Sequence, residues 1–463
     1  MRFIRFLLIL LFIAAVGVGI AYYGAGRLAG PEITIQQPKN LIGQSSMLDL
    51  TVETPREQLD SLTVSIEQNG RAMPVFALDT STADSLQPVG TNGVRLTRPI
   101  GRQTVPDLQA GEAVIVATAS RPVLRGLRTV SSRSTQPVQV RLDPPRVSVV
   151  STHHHVNQGG AEMVVYRVTP PDVESGVRVG DYMYPGFPAS GAGVSAGPDM
   201  KVAFFALLYN QDGKAPIEVF AQDAAGNEAR AQFDHQVFPK AFRHSRIEID
   251  DAFLGRVVPG IVQHSPELKM STPSPDNLLP AFLKVNSELR KMNNDKIAMI
   301  AKKSAPAILW KGAFQQLGNS QVESNFADYR TYLYKGKEID QQVHLGFDLA
   351  VTTNVPVPAA NAGKVLYAQD LGIYGNCVIL DHGMGVQSLY AHLSSFDVKE
   401  GQDVQQGQTL GRSGQTGLAG GDHLHFSMMV NGQFVNATEW WDPHWIEDRV
   451  SRKLREAGAA PTN

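Results

Sequence analysis

His344, Asp348, His423 and His425 lie near the C-terminus, in the segments His344-Leu-Gly-Phe-Asp348 and His423-Leu-His425. Together they offer two imidazoles and a carboxylate to a hard-to-borderline metal, with an imidazole to spare. Zinc in hydrolases takes three such protein ligands and keeps a fourth position for water, and the metal lets that water lose a proton near neutral pH. Alternate residues on a strand share a face. His423 and His425 therefore project together, while Leu424 and Phe426 point the other way into a core. His344 and Asp348 are four apart, an even number, so an extended segment again sets both on one side. A helix would also align them, but the turn-rich flank 354–358 and the lack of helical apolar periodicity favour strand. Gly346 between them leaves room for close backbone approach. His392 ends a strand-like stretch after the run Asn376-Cys-Val-Ile-Leu380 and the turn 381–385, and is a further candidate for the same site.

Around these residues stand Gly372-Ile-Tyr-Gly-Asn376, Asp381-His-Gly383, Tyr390-Ala-His-Leu-Ser394, Val398-Lys-Glu-Gly401, Gly407-Gln-Thr-Leu-Gly411, Ser413-Gly-Gln-Thr-Gly417 and His423-Leu-His-Phe426. In this order, over 325–443, they resemble the LytM/lysostaphin-type zinc endopeptidases, which cut peptide bonds in bacterial cell-wall peptidoglycan. The pattern combines His-x-x-x-Asp, Tyr-x-His-Leu-Ser and His-x-His with Gly-rich hairpins, a conjunction far more specific than any one motif. The resemblance covers under a third of the chain. It implies that His344, Asp348 and His425 are zinc ligands and that His392 and His423 are catalytic histidines outside the ligand set. The metal would polarise the scissile carbonyl and activate water, and the histidines would handle the proton and the developing oxyanion; which of the two is the base stays open. The resemblance also places Asn325 near a substrate groove. The family's Phe-Gly-x-Arg reads Phe326-Ala-Asp-Tyr-Arg330 here, a spacing that does not assign Arg330. No His-Glu-x-x-His helix is present, so a thermolysin-type Glu base is not available. His382 is expected as a turn residue beside the site and Asp422 as a solvated loop charge.

Around this module, 463 residues allow about three to four domains at roughly 100–200 residues each. The net charge is −2 and no basic block points to nucleic acid. Phe6 to Gly26 carries no charge, and about 20 apolar residues span a bilayer. Arg2 and Arg5 ahead of it keep that end in the cytoplasm, so the remainder is exported. A cleaved signal peptide is the competing reading; no clean small-x-small site follows, which favours an uncleaved anchor over 1–30. Cys377 is the only cysteine, so no intramolecular disulfide forms. Its neighbours Val378 and Ile379 suggest a buried strand position, and the lack of disulfides fits a bacterial envelope protein.

Short alternating runs such as Leu48–Val52, Leu62–Ile66 and Ala113–Ala117, separated by Gly-, Pro- and Asn-rich turns, predict a β-sandwich module over 32–143. Runs such as Met163–Val168 and Val202–Leu208 predict a second, immunoglobulin-like module over 146–240. His153-His-His155 is expected as an exposed loop tract, because adjacent strand residues face opposite ways and cannot converge. Over 241–305 the pattern turns helical: Asp276 or Asn277 caps, Pro280 sits in the first turn, and Phe282, Val285, Leu289 and Met292 recur on one face. A zinc endopeptidase domain follows over 306–446, closed by Trp440, Trp441 and Trp445 as packing residues. A polar, frayed tail is expected over 447–463. The expectation is thus a mainly β chain: an N-terminal transmembrane helix, two β-sandwich modules, a short helical connector and a C-terminal antiparallel β-sheet metallopeptidase domain. It would be held in the inner membrane with its catalytic domain in the periplasm, act on peptidoglycan with Zn2+ in cell-wall remodelling, and meet envelope proteins through the sandwich modules. The alternative is a membrane-tethered, non-catalytic regulator of another wall hydrolase.

Overall fold

The computed structural model of the chain describes residues 2–54 and 59–459. Met1 of the anchor, 55–58 of the first sandwich module and 460–463 of the tail lie outside the described residues. Strand makes up 44% and helix 22% of the chain, so the mainly β expectation holds. The chain divides into two compact units, 1–145 with 222–228, and 146–221 with 229–463.

In the first unit the helix Arg2–Ala25 contains an apolar stretch, Phe3–Ala25, of mean hydropathy 2.7. At 1.5 Å per residue its 24 residues reach about 36 Å, enough to cross the roughly 30 Å hydrocarbon core of a bilayer. Two antiparallel-rich sheets follow. One runs Glu32–Gln37, Ser46–Glu53, Gly93–Ile100, Leu86–Val89; the other Leu41–Ile42, Arg128–Val140, Gly111–Val123, Ser61–Gln68, Arg71–Ala77. Alternation sets Leu48, Leu50 and Val52 of one sheet against Leu62, Val64, Ile66 and Ile115 of the other in a single buried core, which makes this a sandwich.

In the second unit, Gly160–Thr169 pairs with Arg146–Val149 and Met200–Leu207. The helix Asp251–His264, which the sequence reading did not anticipate, is capped by the Asp250 carboxylate accepting from the Phe253 amide at 2.7 Å. The anticipated helix is present as Leu278–Lys284 and Arg290–Ala301, joined by a π-helical turn, Val285–Leu289. Phe282, Val285 and Leu289 are buried as expected, but Met292 is exposed and Asn293 takes its place inside. The π turn adds about one residue to the helical phase, which moves the buried stripe from 292 to 293, 297 and 300. The connector is also not purely helical: His244–Ile249 runs parallel to Asp328–Tyr334, which pairs with Lys337–His344.

The sheet that carries the candidate chemistry runs Gln321–Ser324, Phe347–Ala350, His423–Val430, Val386–Leu393, Asn376–Gly383, Gly363–Asp370, Asp403–Val404, all neighbours antiparallel. Trp440 and Trp445 are buried in its end, their rings tilted at 49° with centroids 5.1 Å apart, so they are packing residues. Cys377 is buried too.

The frayed-tail expectation is corrected over 447–459. The helices Glu447–Ser451 and Arg452–Ala459 dock through Val450 and Ala457. The Lys453 Nζ reaches Glu162 Oε1 at 2.8 Å with both groups buried. A polar sequence masked this, because the segment is held by one buried ion pair and two small apolar contacts. Beside that pair, Glu439 accepts hydrogen bonds from the Ala161 amide and the Asn157 side-chain amide, both at 2.7 Å. Burial raises the Glu439 carboxyl to about 7 despite those bonds. The folded state then holds a proton that the unfolded chain releases. Its contribution is complete below the ordinary glutamate range and is lost as pH rises through about 7. Glu439→Gln should therefore gain thermal stability relative to the native chain as pH rises from about 5 to about 8, by on the order of 3 kcal/mol at most. Parallel unfolding profiles for the two proteins over that range would contradict the assignment.

Candidate metal centre

Register assembles the site. Asp348 faces His425 across the strands Phe347–Ala350 and His423–Val430, Ala350 faces His423, and Ala391, one residue before His392, faces His425 on the other side. His423 and His425 share the open face, while Leu424 and Phe426 are buried on the other. His344 ends its own strand, and 345–346 break the chain before Asp348. Gly346 lies at the break because a Cβ there would stand 2.5 Å from His425 Nε2 and Ser427 Oγ. The close approach expected at this glycine is made by the facing strand.

Three atoms converge. His344 Nε2 lies 2.9 Å from Asp348 Oδ1, His425 Nδ1 lies 3.1 Å from the same oxygen, and the two nitrogens are 3.0 Å apart. The other ring nitrogens are already engaged. His344 Nδ1 donates to the Asn325 carbonyl at 3.0 Å. His425 Nε2 donates to Ser427 Oγ at 3.1 Å, and that hydroxyl donates to the Leu345 carbonyl at 2.9 Å. Each converging nitrogen therefore presents a lone pair. Three acceptors at these distances repel one another unless a cation or a proton lies among them. A tetrahedral zinc with ligands about 2.0–2.1 Å away needs ligand atoms about 3.4 Å apart, a modest widening of the observed triangle. The donor set therefore fits such a metal. Among the described residues this His–Asp–His set is the group of three whose ligand atoms lie close enough to hold one.

Arg330 completes the carboxylate's surroundings. Its Nη2 donates to Asp348 Oδ2 at 2.8 Å and to Ser324 Oγ at 2.7 Å. One Asp348 oxygen thus belongs to the guanidinium and the other to the imidazoles. Burial raises the Asp348 carboxyl, but when a proton rather than a metal lies among these atoms the charge and hydrogen bond of His344, with the hydrogen bonds of His423 and His425, outweigh it and hold it well below the usual carboxylate range. Burial lowers His425 to about 4, partly offset by Asp348.

His392 and His423 stand beside this set, their ring centroids 4.8 Å apart. His392 Nδ1 donates to the Thr416 carbonyl at 2.7 Å and His423 Nδ1 to the Gly421 carbonyl at 2.9 Å. Both Nε2 atoms are left to the site, that of His423 lying 3.4 Å from Asp348 Oδ1. His392 holds φ at +62°, a left-handed conformation unusual for a non-glycine residue. The Thr416 turn that receives it packs so tightly on 372–375 that a Cβ at Gly417 would sit 2.4 Å from the Gly375 nitrogen. Burial, then the charges of His423 and His425, push His392 well below its ordinary value. Burial also lowers His423, but Asp348 prevails and raises it.

The five residues singled out from sequence are thus brought together around a cavity of about 100 Å3. Asn325 contributes its carbonyl to His344, while its side chain is exposed. His382 is fully buried, bridging the Ala362 carbonyl and Ser388 Oγ at 2.7 Å each, away from the cavity. Asp422 accepts from the Asn354 amide at 3.1 Å and braces a loop. The exposed-tract expectation for 153–155 is corrected at His154, which is buried in the strand His154–Asn157 beside Asp234. Sequence reasoning missed the supporting roles of Arg330, Ser427 and Thr416. Ser427 was within reach, standing two residues after His425 on the same face of one strand.

Residues 342–437 match the model of Peptidase family M23, and the C-terminal part of the chain is an M23 peptidase domain. Over 95 residues the chain is 42% identical to the DD-carboxypeptidase/endopeptidase Mpg of Neisseria meningitidis serogroup B, which is 20% of this chain and 22% of that protein. Over 94 residues it is 40% identical to the peptidoglycan DD-endopeptidase ShyA of Vibrio cholerae serotype O1, again 20% and 22%. The catalytic domain of lysostaphin from Staphylococcus simulans aligns over 28% of this chain and 98% of its own, at 28% identity and a TM-score of 0.25. The chain spans about a fifth of the length of these curated relatives.

The hydroxyl of Ser427 keeps His425 in the tautomer that offers Nδ1. Ser427→Ala should weaken metal affinity about 10- to 100-fold, read by competition titration against a chelator. Unchanged affinity in a folded variant would remove Ser427 from the account.

Proposed function

We propose that this chain is a membrane-anchored, zinc-dependent endopeptidase that hydrolyses peptide bonds in bacterial peptidoglycan during cell-wall remodelling. The observation that carries the reading is the convergence of His344 Nε2, Asp348 Oδ1 and His425 Nδ1, with the opposite ring nitrogens engaged by the Asn325 carbonyl and Ser427, inside the stretch that matches the M23 model. The names of the aligned relatives, a peptidoglycan DD-endopeptidase and a DD-carboxypeptidase/endopeptidase, support wall peptide as the substrate. His344, Asp348 and His425 would hold Zn2+, which supplies a Lewis acid for the scissile carbonyl and acidifies water. His392 and His423 are the catalytic residues. Their Nδ1–H bonds to the Thr416 and Gly421 carbonyls fix the rings and aim both Nε2 atoms into the cavity. From there the pair takes the proton of the attacking water, returns it to the leaving amine and donates hydrogen bonds to the developing oxyanion. Arg330 is a positioning residue that holds Asp348 in place through Oδ2.

The apolar helix supports inner-membrane anchoring with the catalytic domain in the periplasm; a cleaved signal segment would deliver it to the same compartment. The β-sandwich module over 32–143 and the immunoglobulin-like module over 146–240 would meet envelope partners, and the helical connector over 241–305 joins them to the peptidase domain over 306–446.

The test is peptide release from purified sacculi by the full chain in detergent. The intact protein should release soluble peptides and lose that activity with a chelator. His425→Ala should lose both zinc and activity. His392→Ala should keep zinc and lose about 10²- to 10⁴-fold in turnover. A His425→Ala protein that retained zinc and cut at the native rate would overturn the assignment.

A further inference from the structure

The cavity that holds the five site residues is also lined by Arg290. This residue lies outside the matched stretch 342–437, on the helix that follows the π turn Val285–Leu289. Its guanidinium is held in place. Nε donates to the Asn286 carbonyl at 3.1 Å and Nη2 to Asn286 Oδ1 at 2.6 Å. Asn286 is itself fully buried and donates through Nδ2 to Asp340 Oδ2 at 2.7 Å. All three anchoring bonds leave Nη1 unengaged, and among the described residues no carboxylate pairs with Arg290. The π turn is part of the same device, since such single turns are rare and their extra residue resets which side chains face inward.

The charge count of the cavity points the same way. Its lining carries two guanidiniums, Arg290 and Arg330, and one carboxylate, Asp348; Arg330 pairs with Asp348 at 2.8 Å and approaches the buried Asp328 at 3.6 Å, so Arg290 is the guanidinium of the lining that no carboxylate among the described residues pairs. A divalent metal would add positive charge beside it. A ligand entering this space gains by bringing a negative charge of its own, and a guanidinium with a free N–H edge is the side chain best shaped to receive a carboxylate. A neutral glycine bridge has nothing to offer it.

We propose that Arg290 is a specificity-determining residue that binds a free carboxylate next to the scissile bond, so that the site selects acidic peptides over neutral ones. This rests on the peptidase reading above. Asn286 and Asp340 serve as the scaffold that aims the guanidinium.

The experiment uses the full chain with two synthetic peptides that differ only in a free carboxylate or its amide beside the scissile bond. Binding to metal-free protein is measured by calorimetry and cleavage by the zinc-loaded protein. The native chain should bind and cut the carboxylate peptide at least about tenfold better than the amide, the effect of one charge-assisted hydrogen bond. Arg290→Ala should bring that ratio close to one, mainly through KM, and Arg290→Lys should restore part of it. A ratio unchanged in both folded variants would overturn the proposal. So would an equal rise in cutting of both peptides by Arg290→Ala, which would make Arg290 part of a cover over the site. Because binding is read without metal, loss of discrimination in the variants supports the role of Arg290 even if no peptide is cut; absence of cutting by the native protein would instead count against the peptidase reading.

Discussion

A single carboxylate oxygen, Asp348 Oδ1, holds the centre of this molecule together. Three imidazoles approach it, from His344 at 2.9 Å, His425 at 3.1 Å and His423 at 3.4 Å. A buried anion is tolerated only where positive charge and hydrogen bonds surround it; here Arg330 donates to the other oxygen, Oδ2, and a cation or proton held among the imidazoles serves Oδ1. The arrangement depends on strand register, because Asp348 must pair with His425. A slip of one residue would turn His423 and His425 into the core and bring Leu424 and Phe426 to the cavity. The apolar pattern of the sheet and the chemistry of the site therefore enforce the same alignment.

Around that oxygen the chain spends its polar groups on orientation. The Asn325, Thr416 and Gly421 carbonyls each take a ring N–H, and Ser427 takes the fourth. These bonds select tautomers, and the tautomers decide which nitrogens face the cavity. Gly346 keeps the break between His344 and Asp348 thin enough for the facing strand to come close. The helical segment before the domain contributes as well, for Arg256 Nη2 donates to the Gly420 carbonyl at 2.9 Å and Asn293 Oδ1 accepts from the Ile373 amide at 3.0 Å. The loops beside His392 and His423 are thus braced by residues far from them in sequence.

The five candidate site residues were legible because their chemistry is scarce, and His423 and His425 because they alternate on one strand; the even spacing of His344 and Asp348 did not mark one extended segment, since the chain breaks between them. The sandwich over the first region was legible for the same reason, in the alternation of Leu48, Leu50 and Val52. What was not legible depended on contacts distant in sequence or on departures from ideal geometry. Met292 was placed inside because an ideal helix puts it there, and the π turn at Val285–Leu289 moves the stripe by one residue. Arg330 fell outside the family spacing, yet the pairing of Asp328 with His344 sets its strand beside the site, and its guanidinium reaches the Asp348 carboxylate. The docking of 447–459 rests on Lys453 meeting Glu162, 291 positions away, which no local pattern announces.

His344, Asp348 and His425 together should bind one metal ion. Zinc-edge X-ray absorption on the purified full chain addresses it directly. The account predicts one tightly held zinc with two imidazoles and a carboxylate oxygen at about 2.0–2.1 Å, and no such signal from Asp348→Ala. A sulfur neighbour, which only Cys377 or a methionine could supply, or an unchanged spectrum in that variant, would contradict it.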